Sequence, residues 1–478
     1  MLSIKAKMIT IRNLFHLAAS IAILVIPAGN ANSQTNPASA IRPAIDGILA
    51  AFQTHSLVGM HNIEGGDNHD LAQQQDFYAA LVRDPRFARD VGHVVVEFGD
   101  AIHQGVMDRY VNGEDVPYAE LRKVWTDTVG GAVPRLNLGY VNLFAQVRAI
   151  NASLPVDQRI HVWLGEPPVD WSKVEKREDI VPAGSNLMMI RDNHVAGLIE
   201  REIFSRGRKA LVIYGAGHFI TDPAALAARF GQTSMAAQIA RKHPGAIFDV
   251  ETYTGLANKA CNSQFERDKK DLSLPALLMP GTMLDDDAFR TRCVLRGGWN
   301  IDAVLYLGPA ASLTSSPLLP DAYLDGAYLK ELQRRWRIMG ISVPLSDLSI
   351  TVDKNTVSPK PLVTHDDLDS RVVALAARAK TNKASPEAEQ MLRRLIAGFQ
   401  KGQPSFDELA PDVAKSVRGV SARLQSDIKS WGVLKSITFK SVATDGTDIY
   451  VVEFEKAKPE WHISPPIDGK VILLYLLL

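Results

Sequence analysis

Four residues of types that move protons or bind metals, His61, Glu97, Glu166 and His218, stand at or just past the end of short apolar runs. His61 follows Ser56-Leu57-Val58-Gly59 and Met60, and Glu97 follows Val94-Val95-Val96. Glu166 closes the run from Ile160 to Leu164 after one glycine. His218 follows Lys209 to Ile213 through Tyr214-Gly215-Ala216-Gly217. An apolar, β-branched run that stops at small residues reads as a buried parallel strand. The carboxyl end of such a strand is where open α/β sheets bind ligands. With the strands parallel, all four side chains face one crevice. Two imidazoles with one or two carboxylates support two chemistries: general-base activation of water, a carboxylate fixing the imidazole tautomer, or a metal site of two histidines and one carboxylate. The spacing does not choose between them, because the residues come from distant strands, and no His-Glu-x-x-His is present. Arg191 is a fifth candidate. Near the same crevice its guanidinium would stabilise an oxyanion or bind a substrate carboxylate, and elsewhere it would form a salt bridge with neighbouring acids. Asp192 beside it reads as a helix N-cap.

The elements that must position these residues alternate. Helical patterns cover Ile45 to Gln53, Leu71 to Val82, Met188 to Phe204 (opened by Arg191-Asp192) and Pro223 to Phe230. Further strands are expected at Ala246–Val250 and Ala303–Leu307. Alternation of this kind predicts an α/β fold, a mostly parallel sheet flanked by helices, over 32–355. The pattern then changes. Ser358-Pro359-Lys360-Pro361 lies in a linker and helix spanning 356–383. Two helices follow, Pro386–Gln400 and Asp412–Trp431. Four strands come next, Leu434–Val442, Asp448–Glu455, Glu460–Ser464 and Lys470–Leu478, with Asp-Gly pairs at 445–446 and 468–469 as hairpin signals. Helices followed by an antiparallel meander predict a separate α+β domain at 384–478, cone-like in its element order.

Lys+Arg and Asp+Glu both number 53 in 478 residues, so no basic footprint for nucleic acid is present. Lys5, Lys7 and Arg12 precede an apolar stretch from Leu14 to Ile26, followed by Pro27 and small residues. This is the layout of a secretory signal over 1–31, which places the mature chain in the periplasm or outside the cell, with no later membrane span. The two cysteines, Cys261 and Cys293, are either a pair or two separate thiols. Gly215-Ala216-Gly217-His218-Phe219-Ile220 lacks the third glycine of a dinucleotide fingerprint, and no Gly-x-Ser-x-Gly elbow is present. Ser426-Asp427-Ile428-Lys429 matches Ser-x-x-Lys only inside a surface-type helix.

The order of these features resembles the erythromycin esterase family and its wider group, which includes ChaN-type haem-binding proteins and the Tiki/TraB proteins. Val58-Gly59-Met60-His61 resembles the family's first histidine motif, with Met60 where the family has an acidic residue and a shorter spacing. Val95-Val96-Glu97 resembles its glutamate-ending second strand, and Arg109 to Glu114 its Tyr-x-x-Gly-Glu segment. Arg191-Asp192 with Ala196 resembles its Arg-Asp helix start, and Gly215 to His218 its closing histidine motif. The resemblance covers about 45–310. It implies a secreted hydrolase of ester bonds acting on a small molecule, with a cleft lined by His61, Glu97, Arg191 and His218. His61 would be the base that activates water, its ring held by Glu97 or Glu166, and His218 an orienting or substrate-contacting partner. No cofactor is expected in that branch. The wider group implies two alternatives, a non-enzymatic binder of haem or another small ligand and a metal-dependent Tiki-type peptidase. The stretch from 384 resembles a SnoaL-like accessory module, on Leu392 to Gly398, Ser436 to Lys440, Tyr450 with Phe454, and Glu460-Trp461 with Ile463.

Overall fold

A computed structural model describes residues 41–62, 71–129, 138–182, 185–221, 234–255, 259–278, 301–317, 319, 324–340, 360–361, 375, 378, 381–419, 421–443 and 446–477. The expected signal segment, the helix at 223–230, Cys293 and most of the linker at 356–383 lie outside the described residues.

Seven strands form the main sheet: β1 (Leu57–Asn62), β2 (His93–Asp100), β3 (His161–Glu166), β4 (Ala210–Ile213), β5 (Ile247–Thr252), β6 (Ala276–Leu278) and β7 (Ala303–Tyr306). Their order is β3-β2-β4-β1-β5-β7-β6. All pairings are parallel except β6 with β7. The sheet is mostly parallel with helices on its faces, as the alternating pattern predicts. The short antiparallel edge strand β6 and the helices Leu138–Asn151 and Gly326–Ile338 are additions that the pattern does not announce. Two-residue strands β8 (Thr314–Ser315) and β9 (Lys360–Pro361) pair separately.

Strand side chains alternate between faces, and each face has its own apolar cluster. Val58, Met60, Val94, Val96, Val162, Leu164, Leu211, Ile213 and Val250 pack with Ile48, Phe77, Leu81, Phe144 and Val147 from the helices Arg42–Ala51, Ala72–Arg83 and Leu138–Asn151. Leu57, Val95, Val212 and Tyr214 pack on the other face with Val195 and Ile199 of the helix Leu187–Glu202 and Met235 and Ile239 of the helix Met235–Lys242. The register sets Gly59 beside Val212 and Asp249, and Val95 beside Val212. Alternation therefore puts His61 of β1, Glu97 of β2 and Asp249 of β5 on this second face. Asymmetry of the two faces is what makes a site here: one side is filled by large aliphatic residues, while the other turns polar at the strand ends.

A separate four-stranded antiparallel sheet, β10 (Leu434–Val442), β11 (Asp448–Phe454), β12 (Glu460–Ile463) and β13 (Leu474–Leu477), runs in sequential order near the C-terminus. Leu392, Phe399, Ile428, Tyr450, Phe454 and Trp461 form its core with the preceding helices. The single helix expected over 412–431 is two, Pro411–Gly419 and Ser421–Ser430. Asp468 and Gly469 both have positive φ, 51° and 74°, the geometry that the Asp-Gly signal predicts for a tight hairpin turn. Among the described residues no helix is long and apolar enough to cross a membrane.

Candidate functional site

Arg191 is the hub of the polar end of the second face. It is only 5% exposed. Its Nε donates to both carboxylate oxygens of Glu166, at 2.8 and 3.0 Å, and its Nη2 donates to Glu97 Oε1 at 2.5 Å and lies 2.7 Å from Glu166 Oε1. Glu97 is held from a second side, because its Oε2 accepts from the backbone N–H of Gly215. Two strand-end carboxylates from β2 and β3 thus converge on one guanidinium, whose planar fork suits bidentate pairing. Among the described residues Nη1 contacts the sulfur of Met188, at 3.5 Å, and no carboxylate, so the donors of that edge are not saturated. Burial works against the Arg191 charge, but Glu166 and Glu97 outweigh it and hold its pKa above the usual guanidinium value. Glu166 is wholly buried, and burial raises its pKa although Arg191 opposes the shift.

His218 joins this cluster. Its Nδ1 donates to Asp192 Oδ1 at 2.7 Å, and its Nε2 faces Glu97 Oε1 at 3.6 Å. Burial disfavours the imidazolium, but bonding to Asp192 and Glu97 prevails and lifts the pKa to about 9. With that pKa His218 is an imidazolium at neutral pH, donating to Asp192 through Nδ1 while Nε2 faces Glu97 as an ion-pair contact, and it is not a base. The helix expected over Met188 to Phe204 runs over Leu187–Glu202, so Arg191 and Asp192 lie in its second turn, and Asn186 caps it by accepting from Met189 N. Asp192 is therefore not the N-cap of its helix. It reaches across to His218 and to the N–H of Met235, the first residue of the next helix.

The raised His218 pKa has a stability consequence. Its unfolded value is about 6.5. Since the folded value is higher, the stabilisation is complete below about pH 6.5 and is lost as pH rises through 9. The loss should be roughly 3 kcal/mol between pH 6 and 9.5. Urea unfolding across that window should show it, and His218→Gln should flatten the slope there. Asp100, wholly buried, is pushed by burial up to about 8 and slopes in the same direction, but from about pH 4 to 8. Asp100→Asn should flatten that lower window alone.

His61 stands one strand over, on β1, and is 2% exposed. Its Nε2 lies 2.6 Å from Asp249 Oδ1 on β5. A carboxylate can only accept, so Nε2 carries the hydrogen and Nδ1 presents a lone pair. That Nδ1 is buried and has no hydrogen-bond partner among the described residues. The carboxylate that holds the ring is Asp249, neither Glu97 nor Glu166 as the resemblance implies; both of those are turned onto Arg191. Phe219, next to His218 in the chain, stacks on the His61 ring with centroids 4.8 Å apart and planes at 25°. The stack explains Gly59. A Cβ there would lie 2.2 Å from the Phe219 ring, so only glycine leaves room for the aromatic beside His61. Gly59→Ala should cost about 1–3 kcal/mol by overpacking and displace Phe219; a thermal melt and the near-UV spectrum would report both.

Glu97, Glu166, Arg191 and His218 are thus in direct contact, and His61 is tied to them through Phe219. Arg109 is elsewhere, in an ion pair with Glu120. Among the described residues no group of three or more His, Cys, Asp or Glu side chains is arranged to hold a metal ion. The two imidazoles face different carboxylates, and Glu97 and Glu166 serve Arg191, so this donor set does not fit the two-His-one-carboxylate site. Two members of this network escape strand-end reasoning: Asp249 and Asp192. A carboxylate inside the otherwise apolar strand Ile247-Phe248-Asp249-Val250 was the available signal for the first, since a buried acid needs a partner.

No family model matches the chain, and no curated protein does. Among solved structures the chain is similar to a Bacillus cereus protein, with 11% identity and a TM-score of 0.34 over 58% of this chain and 93% of that one. It is also similar to the type III effector HopBA1, with 11% identity and a TM-score of 0.29 over 58% of this chain and 95% of that one.

Proposed function

We propose that this chain is a hydrolase of the erythromycin esterase-like group, acting on ester bonds of a small molecule by activating water, and that it works in the periplasm or outside the cell. The observation that carries the proposal is the His61–Asp249 pair: one ring nitrogen fixed by a carboxylate at 2.6 Å, the other buried with a lone pair and no partner among the described residues. This is the arrangement a general base requires. In the proposed step His61 Nδ1 takes a proton from water, and the oxygen bonds to the ester carbonyl carbon. The charge that moves onto the carbonyl oxygen is offset by the Nη1 edge of Arg191. Collapse breaks the bond to the alcohol oxygen, which takes the proton back from His61. Asp249 stays ionised throughout and stabilises the imidazolium. His218, already a cation, serves to fix Glu97 and through it Arg191.

The test is a panel of carboxylic esters of varied acyl and alcohol size, offered to the purified full chain in a pH-stat. Acid release that follows enzyme concentration, with no added metal and unchanged by a chelator, is the expected result. Hydrolysis of peptides but not esters, abolished by the chelator, would replace the proposal with the peptidase alternative.

A further inference from the structure

Tyr214 follows β4 directly and lies on the same sheet face as Val95 and Val212. It is 2% exposed, yet its hydroxyl has no hydrogen-bond partner among the described residues. Buried hydroxyls are nearly always paired, and an orphan in a native core calls for an explanation. The surroundings supply one. The ring meets His218 edge-on, with centroids 5.1 Å apart and planes at 79°. The hydroxyl lies against Gly165, where a Cβ would be 1.9 Å from it, so the residue before Glu166 has no side chain and the phenol takes its place. Burial and the adjacent Glu166 and Glu97 charges raise the phenol pKa well above its ordinary value, so the group keeps its proton. The acidic neighbours do not take it: Glu166 and Glu97 are bonded to Arg191 and Gly215, and Asp192 to His218 and Met235. A protonated donor is therefore held beside carboxylates bonded to other donors and not to it, at the end of the sheet where Arg191 has an unsaturated edge.

Resting on the hydrolase reading, we propose that the Tyr214 hydroxyl is a second oxyanion donor, which hydrogen-bonds with Arg191 to the carbonyl oxygen of the bound ester. Its partner is supplied by substrate, which is why none is found among the described residues. The donor keeps its proton during turnover; only the hydrogen bond shortens as charge develops on the carbonyl oxygen.

Two variants of the full chain test this, Tyr214→Phe and Gly165→Ala, with 4-nitrophenyl acetate as probe. Removal of one oxyanion donor costs ~10²-fold or more in kcat, and Tyr214→Phe should show a loss of that order with KM little changed. The same variant should keep or raise its melting temperature, by about 2–4 °C, because it deletes an unpaired buried hydroxyl. Gly165→Ala, which drives a methyl group into the hydroxyl's place, should reproduce the kcat loss. A Tyr214→Phe protein with full kcat overturns the proposal, whatever its stability. A melting temperature that falls by several degrees also overturns it, since the hydroxyl would then have a structural partner. If the wild-type chain hydrolyses no ester, the hydrolase reading fails instead, and the melting temperature still decides whether the hydroxyl is an orphan.

Discussion

Arg191→Met should destabilise the α/β domain by about 3–5 kcal/mol, the penalty for leaving buried charge without its partner. The expectation follows from the burial of all three members. Arg191 is 5% exposed and Glu166 is not exposed at all, so neither water nor a neighbouring cation can replace the guanidinium. His218 touches Glu97 but is already committed to Asp192. Glu166 would recover neutrality only by taking a proton, and its raised pKa shows that burial already pushes that way. The variant should therefore be much less stable at pH 8 than at pH 5. Adding Glu166→Gln to Arg191→Met should return a large part of the loss, because the amide needs no counter-charge. Urea midpoints of the single and double variants form the test. A single variant within 0.5 kcal/mol of wild type, a limit typical of surface sites, would mean that the cluster is solvated and not a buried hub.

The second large effect concerns turnover. His61→Ala should lower kcat on an ester substrate ~10²–10⁴-fold, the range for a positioned general base. Asp249→Asn should lose much of the same factor, because an amide can donate to the ring nitrogen and so favour the tautomer with the hydrogen on Nδ1. The two losses should not multiply, since they remove one device. A strand-end side chain in a cleft contributes little core area, so sequence alone predicts an unperturbed fold for His61→Ala. The structure changes that expectation. The ring is buried against Phe219 and bonded to Asp249, so the variant should also lose measurable stability, and His61→Gln is the better control for folding. Equal kcat in His61→Ala and wild type, with His218→Gln inactive, would move the base to the other histidine.

Much of the scaffold was legible because its causes are local. Val94-Val95-Val96, Leu211-Val212-Ile213 and Ala303-Val304-Leu305 are apolar on both faces, as strands covered by helices on either side must be. The strand ends near Glu97, Glu166 and His61 lie no more than three residues from where the runs change to polar or small residues. The edge strand β6 has only three residues and no alternation long enough to separate it from loop. Among the chemical groups, residue type and strand-end position singled out Glu97, Glu166 and His218, and the structure puts Glu97 and Glu166 in contact with Arg191 of a helix and His218 in contact with Glu97, but who bonds to whom could not be read from the sequence. Asp249 lies 188 residues from His61 in the chain. It meets the imidazole because β1 and β5 pair in parallel with His61 beside Glu251, which sets Asp249 on the same face two residues back. Sheet order is a tertiary property, and no spacing in the sequence encodes it. Asp192 illustrates the same limit: beside a helical pattern it looks like a cap, and its real acceptor role is set by a helix 43 residues on.

The tautomer of His61 is the point on which the functional account turns, and ¹⁵N NMR of histidine-labelled protein measures it without any substrate. His61→Ala assigns the signals by their loss. At a pH where the ring is neutral, Nε2 should be protonated and bonded to Asp249, Nδ1 should be bare with the shift of an unprotonated nitrogen, and Asp249→Asn should disturb this pattern. A neutral His61 that carries its hydrogen on Nδ1, unaffected by Asp249→Asn, would contradict the dyad and with it the proposed base.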